Sequence, residues 1–437
     1  MKYIYKTPLL VAAESGNIEI FTLLLNFKDI LIGDGELSGC AKLTQISIPL
    51  TIRSIGEGSF SQCSNLLQIT LPTTMTKIGS YSFYGCTSLL QITIPKSVTF
   101  IGECAFYRCW SLKKITILSP IKTIEENLFY ECTSLSEITL PSSIESIKSH
   151  AFYKCMSLER VNIPASVKKI GKNCFQECIS LRSIDIPLNL KEIEDCTFSS
   201  CWNLTEITVP SSVASIGKGC FSGCSHLAKI SLPSSIKSIG KYSFTWCSSL
   251  KKVTIPSSIT TIEDYLFSNC VSLICVFIPS SVTSIGSHSF INCSSLKSIS
   301  IPSSVTYIGD SAFSYCSSLT RISIPFSVKA IECYAFYECS SLIQISILSN
   351  LTSIENSTFS KCRSLREISI PPTVTTIGYS AFKECSSLTQ ISIPSSLNKV
   401  SENAFVGCSS SMKISIPSSV KSIEYYAKSK VKNMNKI

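Results

Sequence analysis

Apolar residues recur along this chain in a fixed order of spacings. A leucine is followed by Ile-x-Ile and then proline, as in Leu43, Ile46, Ile48 and Pro49. An aliphatic residue and an isoleucine come next, three apart, as in Val98 and Ile101, and then phenylalanine and cysteine, again three apart, as in Phe106 and Cys109. Ile-x-Ile alternates with a period of two, the pattern of a half-buried strand. Proline lacks the N–H that would extend a strand ladder, so each strand is expected to stop there. The Pro-Ser-Ser that usually follows favours a turn. Val-x-x-Ile suits a second, shorter extended or turning segment, and Phe-x-x-Cys suits one tight helical or 3₁₀ turn with both side chains inward.

The unit returns every 23 residues. Cysteine holds the register at 17 positions from Cys40 to Cys408, without insertion or deletion. Phenylalanine stands three before it in all sixteen units from Phe60 to Phe405, and leucine three after it in sixteen of seventeen, Ser411 being the exception. A fixed period of this size is the mark of a solenoid, in which a lone unit cannot bury its apolar face and stacked units can. The chain is therefore expected to be a repeat solenoid of mainly short parallel strands with turns and 3₁₀ segments. Residues 40–424 form about 17 rungs, residues 1–39 a helical cap and residues 425–437 a basic tail. Two departures stand out: Leu118 and Leu348 replace the proline, and Glu125, Glu194, Glu263 and Glu332 fill the glycine column at intervals of 69 residues. That column therefore does not require a positive φ, and the interval points to duplication in blocks of three.

The unit C-x-x-L-x-x-I-x-I-P-x-x-V-x-x-I-G-x-x-x-F-x-x resembles the BspA-like class of leucine-rich repeats over about residues 40–424. The resemblance implies a leucine-rich-repeat solenoid, a family of recognition and adhesion proteins often described as surface antigens, and no catalytic residues. A second resemblance lies at the start. Thr7-Pro8-Leu9-Leu10-Val11-Ala12-Ala13-Glu14-Ser15-Gly16-Asn17, with Ile20 and Leu23-Leu24-Leu25, is similar to a single ankyrin repeat, with Leu10 where that family has histidine. Pro8 suits a first helical turn and Gly16 a helix end. The segment is expected either to cap the first rung or to be the last unit of a longer ankyrin array. The tail, with Lys428, Lys430, Lys432 and Lys436, is expected to be solvated and frayed.

Composition narrows the chemistry. At 44% apolar the chain is not disordered. It has no apolar run long enough to span a membrane, and residues 1–6 lack the charged-then-apolar pattern of a signal peptide. The family resemblance thus points to the cell surface and the chain start to the cytoplasm. Three histidines, His150, His226 and His288, are too few for a multi-histidine metal site. A cysteine spacing of 23 is no zinc pattern, and parallel stacked thiols are poorly aimed for disulfides. The ladder cysteines are expected as small buried hydrophobes. Cys104, Cys174, Cys196, Cys220, Cys275 and Cys333 stand outside the ladder, some as exposed thiols. The net charge of +10 is a mild bias over 437 residues, so no nucleic-acid face is expected. No cofactor, metal site or enzymatic constellation is read.

The informative surface is the outward face of the Ile-x-Ile strands. Its central position is Ser or Thr in most rungs, including Ser47, Thr70, Thr93, Thr116, Thr139, Thr208, Ser231, Thr254 and Ser300. The positions before the first isoleucine vary, as in Lys113-Lys114, Glu159-Arg160, Lys251-Lys252 and Arg366-Glu367. Variation on a regular frame serves recognition, and a solvated face has the same look. One rung breaks the rule: Phe277 stands at the hydroxyl position, flanked by Ile274 and Cys275, next to the rung of Lys251 and Lys252. These five are the candidate partner-binding residues, with Phe277 either an anchor or an isolated exposed apolar residue. The leading reading is a non-enzymatic recognition or adhesion protein whose strand face binds a protein or other macromolecule. The second is an intracellular interaction scaffold, favoured by the ankyrin-like start and by cysteines that read as reduced.

Overall fold

The computed structural model describes residues 7–27, 30–412, 414–423 and 434–436. The chain start at residues 1–6 and the tail lysines Lys428, Lys430 and Lys432 lie outside the described residues. The chain divides into two compact units, Met1–Cys224 and Ser225–Ile437, built on one kind of rung.

The first unit opens with two short helices, α1 (Pro8–Ser15) and α2 (Ile18–Asn26). Thr7 caps α1 by accepting the Leu10 N–H at 3.2 Å, Gly16 ends it in the left-handed region at φ 76°, and Asn17 caps α2 by accepting the Ile20 N–H at 3.0 Å. Leu9, Ala12, Ala13, Phe21 and Leu25 are buried.

Strands then stack in two columns. In the first unit the Ile-x-Ile column runs Gln45–Ser47, Gln68–Thr70, Gln91–Ile94, Lys114–Ile117 and Glu137–Thr139. Every pair is parallel and in register, Ile46 opposite Ile69 and Ile92 opposite Ile115. Beside it stands a column of strands that shorten to two residues, Ile30–Ile32, Ile52–Ile55, Lys77–Ile78 and Phe100–Ile101. The second unit repeats the plan with Arg321–Ile324, Gln344–Ile347, Glu367–Ser369 and Gln390–Ser392, and with Thr261–Ile262, Ser284–Ile285, Tyr307–Ile308 and Ala330–Ile331. Partners are 23 residues apart, so the sequence period and the pairing register are one quantity.

Proline does stop the strand. Where Leu118 and Leu348 replace it, their N–H groups donate to Ile94 O and Ile324 O at 3.0 Å each, and both strands of each pair reach four residues. Elsewhere a turn closes after proline, as when Val98 N–H donates to Pro95 O at 3.2 Å. The serines of Pro-Ser-Ser do more than turn the chain. Ser281 Oγ donates to Ile259 O and Ser304 Oγ to Val282 O, both at 2.6 Å, tying each turn to the rung before it.

The Phe-x-x-Cys corner differs from the expected helical or 3₁₀ turn. It is a run of turns with two left-handed residues four apart, such as His150 and Lys154 (φ 56° and 57°). Left-handed geometry aims alternate N–H groups out of the rung. His150, Phe152 and Lys154 donate to Lys172, Cys174 and Gln176 of the next rung at 2.9 Å each, while Tyr153 and Cys155 close local turns at 3.1 Å. A helix would have spent all these donors on itself. The glycine column is not left-handed, as expected. A Cβ on Gly79 would lie 2.6 Å from the backbone of Gly56, so close approach of rungs favours glycine there.

The core is a column of phenylalanine rings. From Phe60 to Phe221 in the first unit, and from Phe244 to Phe405 in the second, neighbouring rings stack at 5.2–5.7 Å between centroids. Beside the rings, each ladder thiol reaches back to the preceding rung, as when Cys155 Sγ donates to Phe129 O at 3.3 Å and Cys316 Sγ to Phe290 O at 3.2 Å. Burial, with the neighbouring Cys40 thiol, pushes the Cys63 thiol up from its ordinary value of 9.0 to about 12. Burial alone pushes Cys339 up to about 12. Near the end of the second unit, Met434–Lys436 is a strand paired in parallel with Ile414–Ile416, which corrects the expectation of a wholly frayed tail.

Replacing Phe152 by alanine is expected to lower unfolding stability by about 3–5 kcal/mol, and Cys155 by alanine by about 1 kcal/mol, in urea titrations of the full chain. A high-pH limit follows from the thiols. The protonated form is favoured in the fold, so their contribution is complete below pH 9 and is lost as pH rises from 9 towards 12. Each protected thiol should remove about 1.4 kcal/mol per pH unit in that window. Melting temperatures recorded from pH 7 to 11 should fall steeply above pH 9, and a flat profile would exclude this role for the thiols.

Candidate recognition face

The register fixes what the strand face presents. Residues opposite one another on adjacent rungs occupy the same column, so outward side chains form rows about 4.8 Å apart. In the first unit one row is Ser47, Thr70, Thr93, Thr116 and Thr139, and the row beside it is Gln45, Gln68, Gln91, Lys114 and Glu137. Gln45 Nε2 donates to Gln68 Oε1 at 3.4 Å, and Lys114 pairs with Glu137 at 2.7 Å. Exposed Leu67 and Leu90 flank the glutamines over a groove of about 260 Å³.

All five residues singled out in the sequence come together in the second unit. Strand Lys252–Thr254 pairs in parallel with Cys275–Phe277, setting Lys252 opposite Cys275 and Thr254 opposite Phe277. Ile274 N–H donates to Lys251 O at 2.9 Å, and Ile255 N–H donates to Phe277 O at 3.1 Å. Val253 and Val276 are buried between these outward residues. Lys251 and Lys252 are exposed and Cys275 is half-buried, while Phe277 and Ile274 are 62% and 38% exposed.

Farther along this face lie features that the sequence reading did not place. Two shallow grooves of about 520 and 530 Å³ share Gln344, Ser346 and Leu348. Leu348, 55% exposed, stands there because it replaces the strand-ending proline, and that replacement was the signal for it. A second missed feature is on the turn side of the first unit. Tyr84, Tyr107, Tyr130 and Tyr153 stack at 4.4–5.1 Å, with Arg108 and Lys154 over the rings of Tyr107 and Tyr153. Burial and then the neighbouring Tyr130 phenol push the Tyr107 hydroxyl up to about 12. Tyrosine recurring at the 23-residue period was its signal.

Histidine and cysteine form no catalytic grouping. His150 leans on the rings of Tyr130 and Tyr153, and His288 stacks on Tyr265 at 4.5 Å. Among the described residues no three His, Cys, Asp or Glu side chains could hold a metal ion, and no helix is long and apolar enough to cross a membrane. Of the six cysteines outside the ladder, Cys104, Cys174 and Cys220 are buried, while Cys196, Cys275 and Cys333 are half-buried.

Comparison with known proteins agrees with this architecture. A model of the BspA type leucine-rich repeat region matches five overlapping stretches that together span residues 30–437. No curated protein matches the chain. Among solved structures, a leucine-rich repeat protein from Bacteroides ovatus is 28% identical with a TM-score of 0.61, covering 90% of this chain and 92% of that one. A leucine-rich cell surface protein from Faecalibacterium prausnitzii is 27% identical with a TM-score of 0.38, covering 87% of each chain. The leucine-rich repeat protein of T. pallidum is 32% identical with a TM-score of 0.34, covering 42% of this chain and 77% of that one.

The burial of the thiols predicts their reactivity. Titration of the native chain with a thiol-specific disulfide reagent should count no more than the three half-buried cysteines, Cys196, Cys275 and Cys333, and all 23 after unfolding in guanidinium. Replacing Cys275 by serine should remove one of the native counts.

Proposed function

This chain belongs to the BspA-type leucine-rich-repeat family, and we propose that it recognises a macromolecular partner through the strand face of its second unit, centred on Phe277. It is a non-enzymatic recognition or adhesion protein. The observation that carries the proposal is the break in a regular face. The positions on either side of Phe277 in its row are Thr254 and Ser300, and an aromatic ring that is 62% exposed replaces the hydroxyl between them. Packing does not call for it, because Val276 beneath it is buried as in other rungs. An exposed aromatic side chain is the kind that anchors protein interfaces, and the lysines beside it suit a polar, solvent-accessible rim.

A surface-antigen-like role is supported by the family resemblance. The helix pair α1 and α2 we read as an ankyrin-like cap on the first rungs, supported by the Thr7 cap, the left-handed Gly16 and the buried Ala12 and Ala13.

The test is capture by the full chain. Wild-type protein and a Phe277→Ser, Lys252→Glu double variant are immobilised and exposed to surface proteins of intact cells and to cell extract. The expected outcome is a bound protein retained by the wild type and lost at least tenfold by the variant, with unchanged melting temperature. An identical bound set on both proteins would exclude this face.

A further inference from the structure

We infer that the occupant of this face is an acidic extended peptide segment carrying an aliphatic or aromatic side chain; the inference rests on the strand-face reading above. Its basis is a local charge imbalance that the whole-chain composition hides. Residues 225–331 hold eight Lys and Arg against three Asp and Glu, a net +5 that is half of the +10 of the chain. The three carboxylates, Glu263, Asp264 and Asp310, all lie outside the Ile-x-Ile strands. Asp264 pairs with Lys241 at 2.6 Å, and Asp310 stands 3.6 Å from His288.

The outward positions of the Ile-x-Ile strands over the same rungs hold no carboxylate. They hold Lys229 two rungs before Phe277 and, nearest to it, four more cations: Lys251 and Lys252 on one rung, Lys297 on the rung after Phe277, and Arg321 on the next, bridged to Ser298. All four cations are exposed, and none has an ion-pair partner among the described residues. On the same face of the first unit Lys114 pairs with Glu137 at 2.7 Å and Arg182 with Glu159 at 3.6 Å, while Lys113 and Arg160 are exposed. At rung spacing the four cations span roughly 15 Å around Phe277 and Ile274.

An apolar centre inside a cationic rim selects its complement. Carboxylates satisfy the rim and steer the encounter, and a desolvated side chain covers Phe277 and Ile274. A peptide supplies both along one extended backbone. A sulfated polysaccharide supplies the charge without the apolar group. Single-stranded nucleic acid is held by successive aromatic platforms, and the row beside Phe277 continues with Thr254 and Ser300.

The inference is tested by selecting a displayed library of random dodecapeptides on the immobilised full chain at low salt. Enriched sequences are then measured by fluorescence anisotropy against wild type, Phe277→Ser and Lys251→Glu/Lys252→Glu, each first checked for an unchanged melting temperature. The expected result is enrichment of peptides with several Asp or Glu around a Leu, Ile, Phe or Trp. Their binding should weaken at least tenfold in either variant, and also on raising salt from 50 to 500 mM. Peptides without acidic excess that still lose binding in Phe277→Ser would overturn the acidic occupant and leave strand-face recognition standing. Peptides indifferent to both variants would overturn both. Heparin or poly(U) binding more tightly than any peptide, lost in Lys251→Glu/Lys252→Glu and kept in Phe277→Ser, would replace the peptide with a polyanion.

Discussion

Everything in this molecule depends on one constraint, that equivalent backbone atoms of adjacent rungs stay within hydrogen-bond distance. Three separate ladders impose it: the Ile-x-Ile column, the shorter strand column, and the left-handed corner whose alternate N–H groups leave the rung. With rungs so held, inward side chains must repeat, because a phenylalanine within a unit, such as Phe175, meets the same ring above and below it. A single insertion would shift every column, which accounts for the unbroken 23-residue register. The uniform interior is thus a requirement of stacking, and the outer face is where such a molecule can vary.

The cysteine column shows how far that requirement reaches. Packing alone would accept alanine or another small residue, yet the position is cysteine in all 17 rungs. The structure supplies a reason that hydrophobicity does not. The thiol sits beside the phenylalanine column and donates to the phenylalanine carbonyl 26 residues earlier, as Cys178 does to Phe152 O at 3.2 Å. A thiol is small and apolar enough for the core and polar enough for a weak bond between rungs. The same burial keeps it protonated, hence unreactive.

Most of the fold was legible because it is written 17 times. Period two at Ile-x-Ile, the proline stop and the leucine, phenylalanine and cysteine columns were each carried by many rungs. The corner was misjudged because Phe-x-x-Cys spacing is common to a helical turn and to paired turns. What separates them is the left-handed pair, and its positions hold Tyr, His, Lys, Glu and Asn, few of which announce positive φ. Glycine, the usual sign, marks the pair in only some rungs, such as Gly219 and Gly223, and also fills another column where close approach favours it. At the candidate site, the adjacency of Lys252 and Cys275 and of Thr254 and Phe277 followed from the period alone. The exposed leucine at 348 and the tyrosine stack did not, since both require knowing which side of the rung faces outward.

The charge distribution bears on why one aromatic ring can matter on a face of this size. A row of serine and threonine hydroxyls is well solvated and discriminates little between partners. Selectivity on such a face must come from positions where an ill-matched partner loses something. Phe277 and Ile274 leave apolar area wet unless a side chain covers them, and the exposed lysines on the adjoining rung leave charge unbalanced unless a carboxylate meets it. In the first unit Glu137 pairs with Lys114 on this face, and Glu145 pairs with Lys122 and Lys168 beside the shorter strands. On the rungs that carry the aromatic break Lys241 is paired with Asp264, while Lys251 and Lys252 on the strand face make no ion pair among the described residues and so can complement a carboxylate.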